Sequence, residues 1–388
     1  MRKRTNAGEE KRLQQEPLKR WLSQEVAPQQ EALIKRMGVE VREQAEARIR
    51  EWIEPFRKLC LRIHAMQEAG NKRPIAYIHV SYLRSWLGQG KLMCSLEAYD
   101  DTWYLDRAAC MELHELPWLY DHLERYRKNI DEARKSYGTD ILPLESDRVW
   151  MEDVSIAGHY VVSLVRAAAS RIVELPEVQR IQRANTFRIR AGEYLDLSED
   201  VWVEVREEKD AAAIRASLER QDGTLHRYED WRKLDLSGGC YEGADVAYSH
   251  LTGSNLTGSR LNKSVCLGVD FCGSRMRDVD LSQSVLYDAN FSRCDLQGAN
   301  FQEAVGGEPL IHEGQVMGTF GVSFAGANLQ GANLMFADLE HADFRGADLR
   351  GAKIILQEAA KFALSEEQKR QVRWMEEDET GRLVEVRN

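Results

Sequence analysis

What this 388-residue sequence lacks narrows its class before any motif is weighed. It has no apolar run approaching the ~20 residues that span a bilayer, so no membrane-crossing helix and no membrane partner are expected. Met1-Arg-Lys-Arg is basic, but Gln- and Glu-rich sequence follows where a secretory signal would carry its apolar core. No signal peptide is therefore expected, and a cytoplasmic location is. The seven cysteines show no C-x-x-C spacing, which argues against a zinc site or a redox pair and suits a reducing compartment. Positive charge is not in excess: the net charge is −10 with both signs well mixed, which disfavours direct binding to nucleic acid. There is no P-loop, no G-x-G-x-x-G after a strand, no G-x-S-x-G and no kinase signature. His114-Glu115 lacks the second histidine of an H-E-x-x-H site, the next being His122. No catalytic residue, no metal site and no cofactor is assigned.

What is present is a period of five. A large apolar residue recurs at every fifth position from Leu236 through Tyr241, Val246, Leu251 and Leu256 to Phe301. The pattern resumes at Phe324 and runs through Leu329, Leu334, Leu339, Phe344 and Leu349 to Ile354. Two positions before each stands a small or branched residue, such as Ser254, Ser264, Ala299, Ala332 or Ala347. Five matches neither the 3.6 of a helix nor the 2 of a strand. A short repeat that cannot bury its own apolar residues marks a solenoid, where stacked neighbours complete the core. One large and one small inward side chain per five suit a narrow square coil. The large one fills the axis and the small one lets the wall come close. Cys266 and Cys294 occupy inward positions, where a thiol packs as a small hydrophobe.

Segments such as Ala327-Asn328-Leu329-Gln330-Gly331, Ala332-Asn333-Leu334 and Ala347-Asp348-Leu349-Arg350-Gly351 resemble the A(D/N)LXX signature of pentapeptide repeat proteins. The resemblance covers residues 234–354 and implies a right-handed quadrilateral β-helix with four pentads per coil. Successive coils then rise by about 4.8 Å, the spacing of neighbouring strands.

Residues 1–230 are expected to form a mixed α+β domain, mainly helical and of unrecognised family. Apolar residues recur at helical spacing over residues 18–66, with Pro28 and Pro55 dividing the run into more than one helix. Strands are expected at 75–80 and 92–98, helices at 116–137 and 154–173 with Gly138 as a stop, and adjacent strands at 187–191 and 201–205. A short helix over 210–219 leads into the coils of residues 231–358. Beyond them, in residues 359–388, Ser365-Glu-Glu-Gln368 is a capping box opening a helix to about Met375. This C-terminal capping helix is expected to shield the unpaired backbone of the last coil. The resemblance adds a homodimer contact as its other use.

The repeat is interrupted at about 302–321. Phe301 to Phe324 is a step of 23, and the segment holds Gly306-Gly307, Pro309, His312, Glu313 and Gly318. It is either a distorted coil with a three-residue bulge or a loop extruded from the solenoid, the latter being favoured; such loops often carry function.

Two stretches stand out as binding candidates. One is Tyr99-Asp100-Asp101-Thr102-Trp103-Tyr104, where paired carboxylates can share a proton or hold a cation and clustered aromatics suit an interface. Ordinary packing of a strand-to-helix loop is the alternative. The other is the interruption, with His312 and Glu313. His159-Tyr160 beside Arg166 is better explained by core packing. Residues 231–360 carry sixteen acids against ten bases, so the rod is moderately acidic. The expected function is a non-catalytic protein–protein interaction or scaffold protein that binds its partner on the rigid acidic β-helix. The resemblance supplies an alternative, since some pentapeptide repeat proteins imitate duplex DNA and bind DNA gyrase, protecting it from quinolones or toxins. A third reading is an enzyme or biosynthetic accessory protein with its active site in the N-terminal domain.

Overall fold

The computed structural model describes residues 16–220, 222–307, 309–312, 315–378 and 381–386. The chain forms two compact units. One comprises residues up to 184 with 188–201, and the other 185–187 with 202 onward.

The first unit begins with a helical run from residue 16 that passes through a π-helical turn (Leu22–Val26) into α1 (Ala27–Glu43), followed by α2 (Ala45–Arg50) and α3 (Ile53–Glu68). Pro28 thus lies inside a continuous helical run and does not divide it, its missing N–H falling where the π-helical turn passes into α1, whereas Pro55 sits in the first turn of α3. The breaks themselves fall near Gln44 and Trp52. Strands β1 (Ile75–Leu83), β2 (Met93–Tyr99) and β3 (Met111–Glu115) follow, then α4 (Pro117–Lys135), α5 (Pro143–Val173), α6 (Pro176–Arg180), β4 (Arg183–Glu193) and β5 (Ser198–Val205). The sheet order is β3-β2-β1-β4-β5, with β1 antiparallel to β2 and parallel to β4. Helix α5 starts eleven residues before the expected 154, because Pro143 occupies its first turn. It lies on the sheet face that carries Ile78, Val80 and Tyr82. Gly158 is required there, since a Cβ would fall 2.4 Å from the Tyr82 ring. β3, which holds His114, was not expected as a strand; its only apolar alternation, Met111 and Leu113, faces outward and stays exposed.

The second unit contains α7 (Ala211–Glu219) and the coil. Backbone bridges recur at a spacing of 20 residues, Leu225↔Asp245, Asp230↔His250, Asp235↔Asn255 and Cys240↔Arg260 forming the four sides of the first turn. The coil thus begins two pentads before Leu234. Leu256, Leu281, Leu296 and Leu334 are all buried, as are their small neighbours. Every pentad turns its corner through a residue of positive φ two places after the inward large one, as at Gly238, Lys263 and Asp288. The repeats imply a right-handed quadrilateral β-helix.

The inward serines do more than make room. Ser254 Oγ donates to Trp231 O, Ser274 Oγ to Leu251 O and Ser284 Oγ to Leu261 O, at 2.7–2.8 Å. Each hydroxyl bonds the carbonyl 23 residues earlier and so joins consecutive turns inside the shaft. Leaving such a group unpaired in the core would cost about 1–3 kcal/mol.

At the interruption the bridge partner of Asn290 is Ser323, 33 residues on rather than 20. The surplus is a hairpin of β6 (Leu310–His312) and β7 (Gln315–Met317). After the last turn, β8 (Lys353–Ile355) pairs in parallel with β9 (Arg373–Glu377), and β9 pairs with β10 (Leu383–Glu385). Between them α8 (Glu366–Gln371) carries the expected capping box at Ser365 and Gln368 but is shorter than expected, because residues 373–377 continue the ladder as a strand. Gln368 Nε2 donates to Phe344 O and Ala347 O at 2.6 and 3.1 Å.

Candidate functional site

The stretch from Tyr99 to Tyr104 folds as a knitted loop at the end of β2. Asp100 is buried and accepts from the Thr102 amide at 2.8 Å and from the Thr102 hydroxyl. Arg73 bridges both carboxylates, at 3.2 Å from Asp100 and 3.0 Å from Asp101. Asp106 does a similar job one turn later, taking the amides of Asp100 and Ala108 at 2.9 Å and the buried Lys72 ammonium at 2.7 Å. Aspartates that bond backbone two residues on are turn formers. The two adjacent carboxylates are thus occupied by an arginine and a turn.

The aromatic members come together. Trp103, held at φ 56, lies edge-on to Tyr77 with ring centroids 3.9 Å apart. Tyr104 contacts Trp103 and Tyr99, both at 5.4 Å, and its hydroxyl meets His79 Nδ1 at 3.2 Å. Arg190 stands 5.4 Å over the Trp103 ring, within cation–π range. A bulky residue at positive φ costs ~1 kcal/mol or more, and these ring contacts hold it there. Tyr104 and Leu105 remain 48% and 81% exposed, so the loop presents an apolar lip with polar edges.

Beneath the lip is the sheet face opposite α5. Register sets His79 beside Glu97 and Arg190, and Ser81 beside Ser95 and Gly192. Burial, aided by the charge of Arg190, depresses His79 to about 4, so the ring is neutral at physiological pH. Burial and the Glu97 carboxylate raise the Tyr99 phenol. Arg188 and Arg190 are both tied to Asp200, the latter at 3.0 Å. The arrangement has no activated nucleophile. It offers hydrogen bonds and ring faces, which suits recognition. Sequence reasoning missed His79, Arg188, Arg190 and Asp200, because their common face depends on register between strands more than 100 residues apart. The strands expected at 75–80, 187–191 and 201–205 were the visible signal.

On the coil, outward asparagines and aspartates form rows. Asn255 Nδ2 donates to Asp235 at 2.9 Å, Asn290 to Asp270 at 2.9 Å and Asn300 to Asp280 at 3.0 Å. Aspartates also receive arginines: Arg277 on Asp295, Arg345 on Asp343 and Arg350 on Asp348, at 2.5–2.7 Å. A satellite cluster of Ala247, Leu267 and Tyr287 lies on one outer wall, with Met317 of the hairpin packed against it. The base of the hairpin is pinned by Asp288, which accepts the amides of Thr319, Phe320 and Gly321 at 2.7–3.1 Å. The His312 side chain and the whole of Glu313 lie outside the described residues.

The other histidines singled out by the sequence, His159 and His114, resolve into packing. Tyr160 bonds Ile34 O inside the core, His159 meets Ser163, and Arg166 pairs with Glu199 at 3.2 Å. His114 stacks edge-on against Trp52 and is depressed to about 4, chiefly by burial. Among the described residues no group of three or more His, Cys, Asp or Glu is placed to hold a metal ion, and no helix is long and apolar enough to cross a membrane.

The family model for pentapeptide repeats matches in eight copies, over residues 242–278, 274–304 and 320–354. Among solved structures, a pentapeptide repeat protein from Nostoc PCC 7120 is 26% identical over 25% of this chain and 69% of its own, with a TM-score of 0.21. HetL, involved in heterocyst differentiation regulation in the same Nostoc strain, is 16% identical over 38% of this chain and 97% of its own, at 0.18. QnrB1, a plasmid-mediated fluoroquinolone resistance protein, is 14% identical over 32% and 77%, at 0.17. No curated protein matches the chain.

Proposed function

From a coil that belongs to the pentapeptide repeat family, we propose that this chain is a non-catalytic interaction or scaffold protein whose partner is a protein bound on the outer walls of the β-helix. The observation that carries this reading is the division of labour in each pentad. The shaft is filled by large apolar and small residues, which leaves no lumen for a ligand, while the outward positions form straight rows of carboxylates and amides. A rigid, regular and moderately acidic wall suits a partner with a complementary basic face. The pairing of Asp295, Asp343 and Asp348 with arginines weighs against imitation of duplex DNA, and hence against gyrase as the partner. The carboxylates of the Asp100 loop are engaged in a turn and with Arg73, which weighs against an enzyme centred there.

The bonds from Gln368 to the last turn, with β9 continuing the ladder of β8, support a cap that blocks end-to-end association; use of the same helix as a dimer contact is the lesser reading. All seven cysteines are free, which suits a cytoplasmic location.

The test replaces Asp270 and Asp280 by Asn in the full chain. Asn keeps the side-chain oxygen that caps the next turn, as Asn290 and Asn300 already do, and removes only charge. The expected result is an unchanged thermal melt with weakened capture of the partner isolated by the unaltered chain. Undiminished capture overturns the proposal.

A further inference from the structure

A separate set of polar groups lies in the seam between α1 and α4, away from the aromatic lip. The two helices are joined at Gln29–Asn129 (3.0 Å) and at Glu40–His122 (2.7 Å). Rising numbers on α1 meet falling numbers on α4, so the pair is antiparallel. Arg36 lies between the two rungs, at the level of residues 122–126.

Arg36 is half-buried, and its Nε and Nη2 are both enclosed without a hydrogen-bond partner. Those two nitrogens form the edge of the guanidinium whose parallel N–H groups match two oxygens of one oxyanion. The charge that acts on Arg36 is that of Arg125 on α4, which is exposed and carries the same sign. Glu40, one turn along, is already committed to Arg48 and His122. His122 spends Nε2 on that bond, and its Nδ1 is likewise buried without a partner. Enclosed polar atoms are paired in the great majority of native structures, and a charged one left alone is costly. In a chain of net charge −10, acids are abundant, yet none is placed against this guanidinium among the described residues.

We propose that the seam is an oxyanion site, in which a phosphoryl group takes the Nε–Nη2 edge of Arg36 while Arg125 supplies the second positive charge. Two guanidinium charges balance a phosphate dianion, whereas a single carboxylate leaves one uncompensated. Arg125 at the surface marks the side from which the group approaches, and because Nε and Nη2 of Arg36 are enclosed, binding requires the side chains over that edge to move aside. Binding would tie α1 to α4 and stiffen the helical part of the first unit.

The test is thermal unfolding and calorimetric titration of the full chain with inorganic phosphate and, separately, with phenyl phosphate, against sodium chloride at matched ionic strength. Stabilisation by both probes marks a site that admits phosphate esters. Stabilisation by inorganic phosphate alone marks a site for the free ion, and either result supports the proposal. The Arg36→Gln variant is expected to lose the effect, and Arg125→Gln to weaken affinity about tenfold, the loss of one charge-assisted contact. Equal melting in phosphate and chloride, or a phosphate effect retained in Arg36→Gln, overturns it. Should Arg36→Gln fail to fold, the Arg125→Gln variant at the exposed position decides.

Discussion

Phe291 and Phe324 stack face to face, ring centroids 5.3 Å apart and planes within 8°, although 33 residues separate them. Phe271 stacks on Phe291 from one side and Phe344 on Phe324 from the other, so one column of rings runs through four turns. Phe301 meets both Phe291 and Phe324 edge-on from another side of the shaft. The coil therefore passes the interruption without losing phase, because the surplus residues leave the wall as a hairpin.

The column makes Phe324 the most sensitive position near the hairpin. Phe324→Ala should destabilise the coil by about 3–5 kcal/mol, and Phe324→Leu by considerably less, because the shaft cannot collapse around a missing ring. Urea unfolding of both variants measures this; equal costs would mean that restoring volume recovers nothing and that ring stacking carries the whole effect.

Removing residues 307–319 restores the spacing of 20 between Asn290 and its bridge partner. The shortened chain should keep a cooperative melt and its β-type circular dichroism, since surface insertions contribute little to a solenoid core. In the full-length chain, Asp288→Ala should speed hydrogen exchange at the amides of 319–321, which lose their common acceptor. Collapse of the coil on deletion would show that the hairpin is a structural brace.

His79 and His114 are both depressed to about 4. A histidine whose folded value lies below its unfolded ~6.5 binds fewer protons in the native state, so stability is full above pH 6.5 and falls as pH drops toward 4. The two together should account for about 3–5 kcal/mol over that window, allowing for the partial exposure of His114. His79→Gln with His114→Gln should flatten the slope in chemical unfolding measured at pH 7, 6, 5 and 4.

Asp230 is buried at the start of the coil. Burial alone would raise its carboxyl, but Arg232 at 2.7 Å, the Val205 amide at 3.0 Å and Lys209 at 2.9 Å outweigh it and hold the group well below the usual carboxylate range. A depressed folded value gives stability that is present above pH ~4 and lost as pH falls further. Asp230→Asn should cost about 3–5 kcal/mol at pH 7 and much less at pH 2, where the carboxyl of the unfolded chain is already protonated and most of the advantage of the native ion pairs is gone. An equal cost at both values would rule out the charge as the cause.

The pentad is legible because every repeat makes the same local choice. Leu256, Leu281, Leu296 and Leu334 face inward for the reason their spacing implies, and the corner residues recur with them. In the first unit, β1, β2 and α4 are legible too, since their apolar periods are uninterrupted. The start of α5 was missed because residues 143–153 mix charges with only Val149 and Trp150 buried on the apolar face. β3 was missed because its alternating Met111 and Leu113 are exposed.

The order of side chains along the chain thus dictated that a square shaft forms and which residues fill it. It could not dictate which groups meet across the fold. His79 with Tyr104, Asp288 with Thr319, and Arg36 with Arg125 come together only through strand register, the exit of a hairpin and the antiparallel packing of two helices. The physical reason is range. A repeat writes its contacts into spacing between near neighbours, whereas these pairs arise where separate elements settle against each other to bury surfaces that local sequence does not relate.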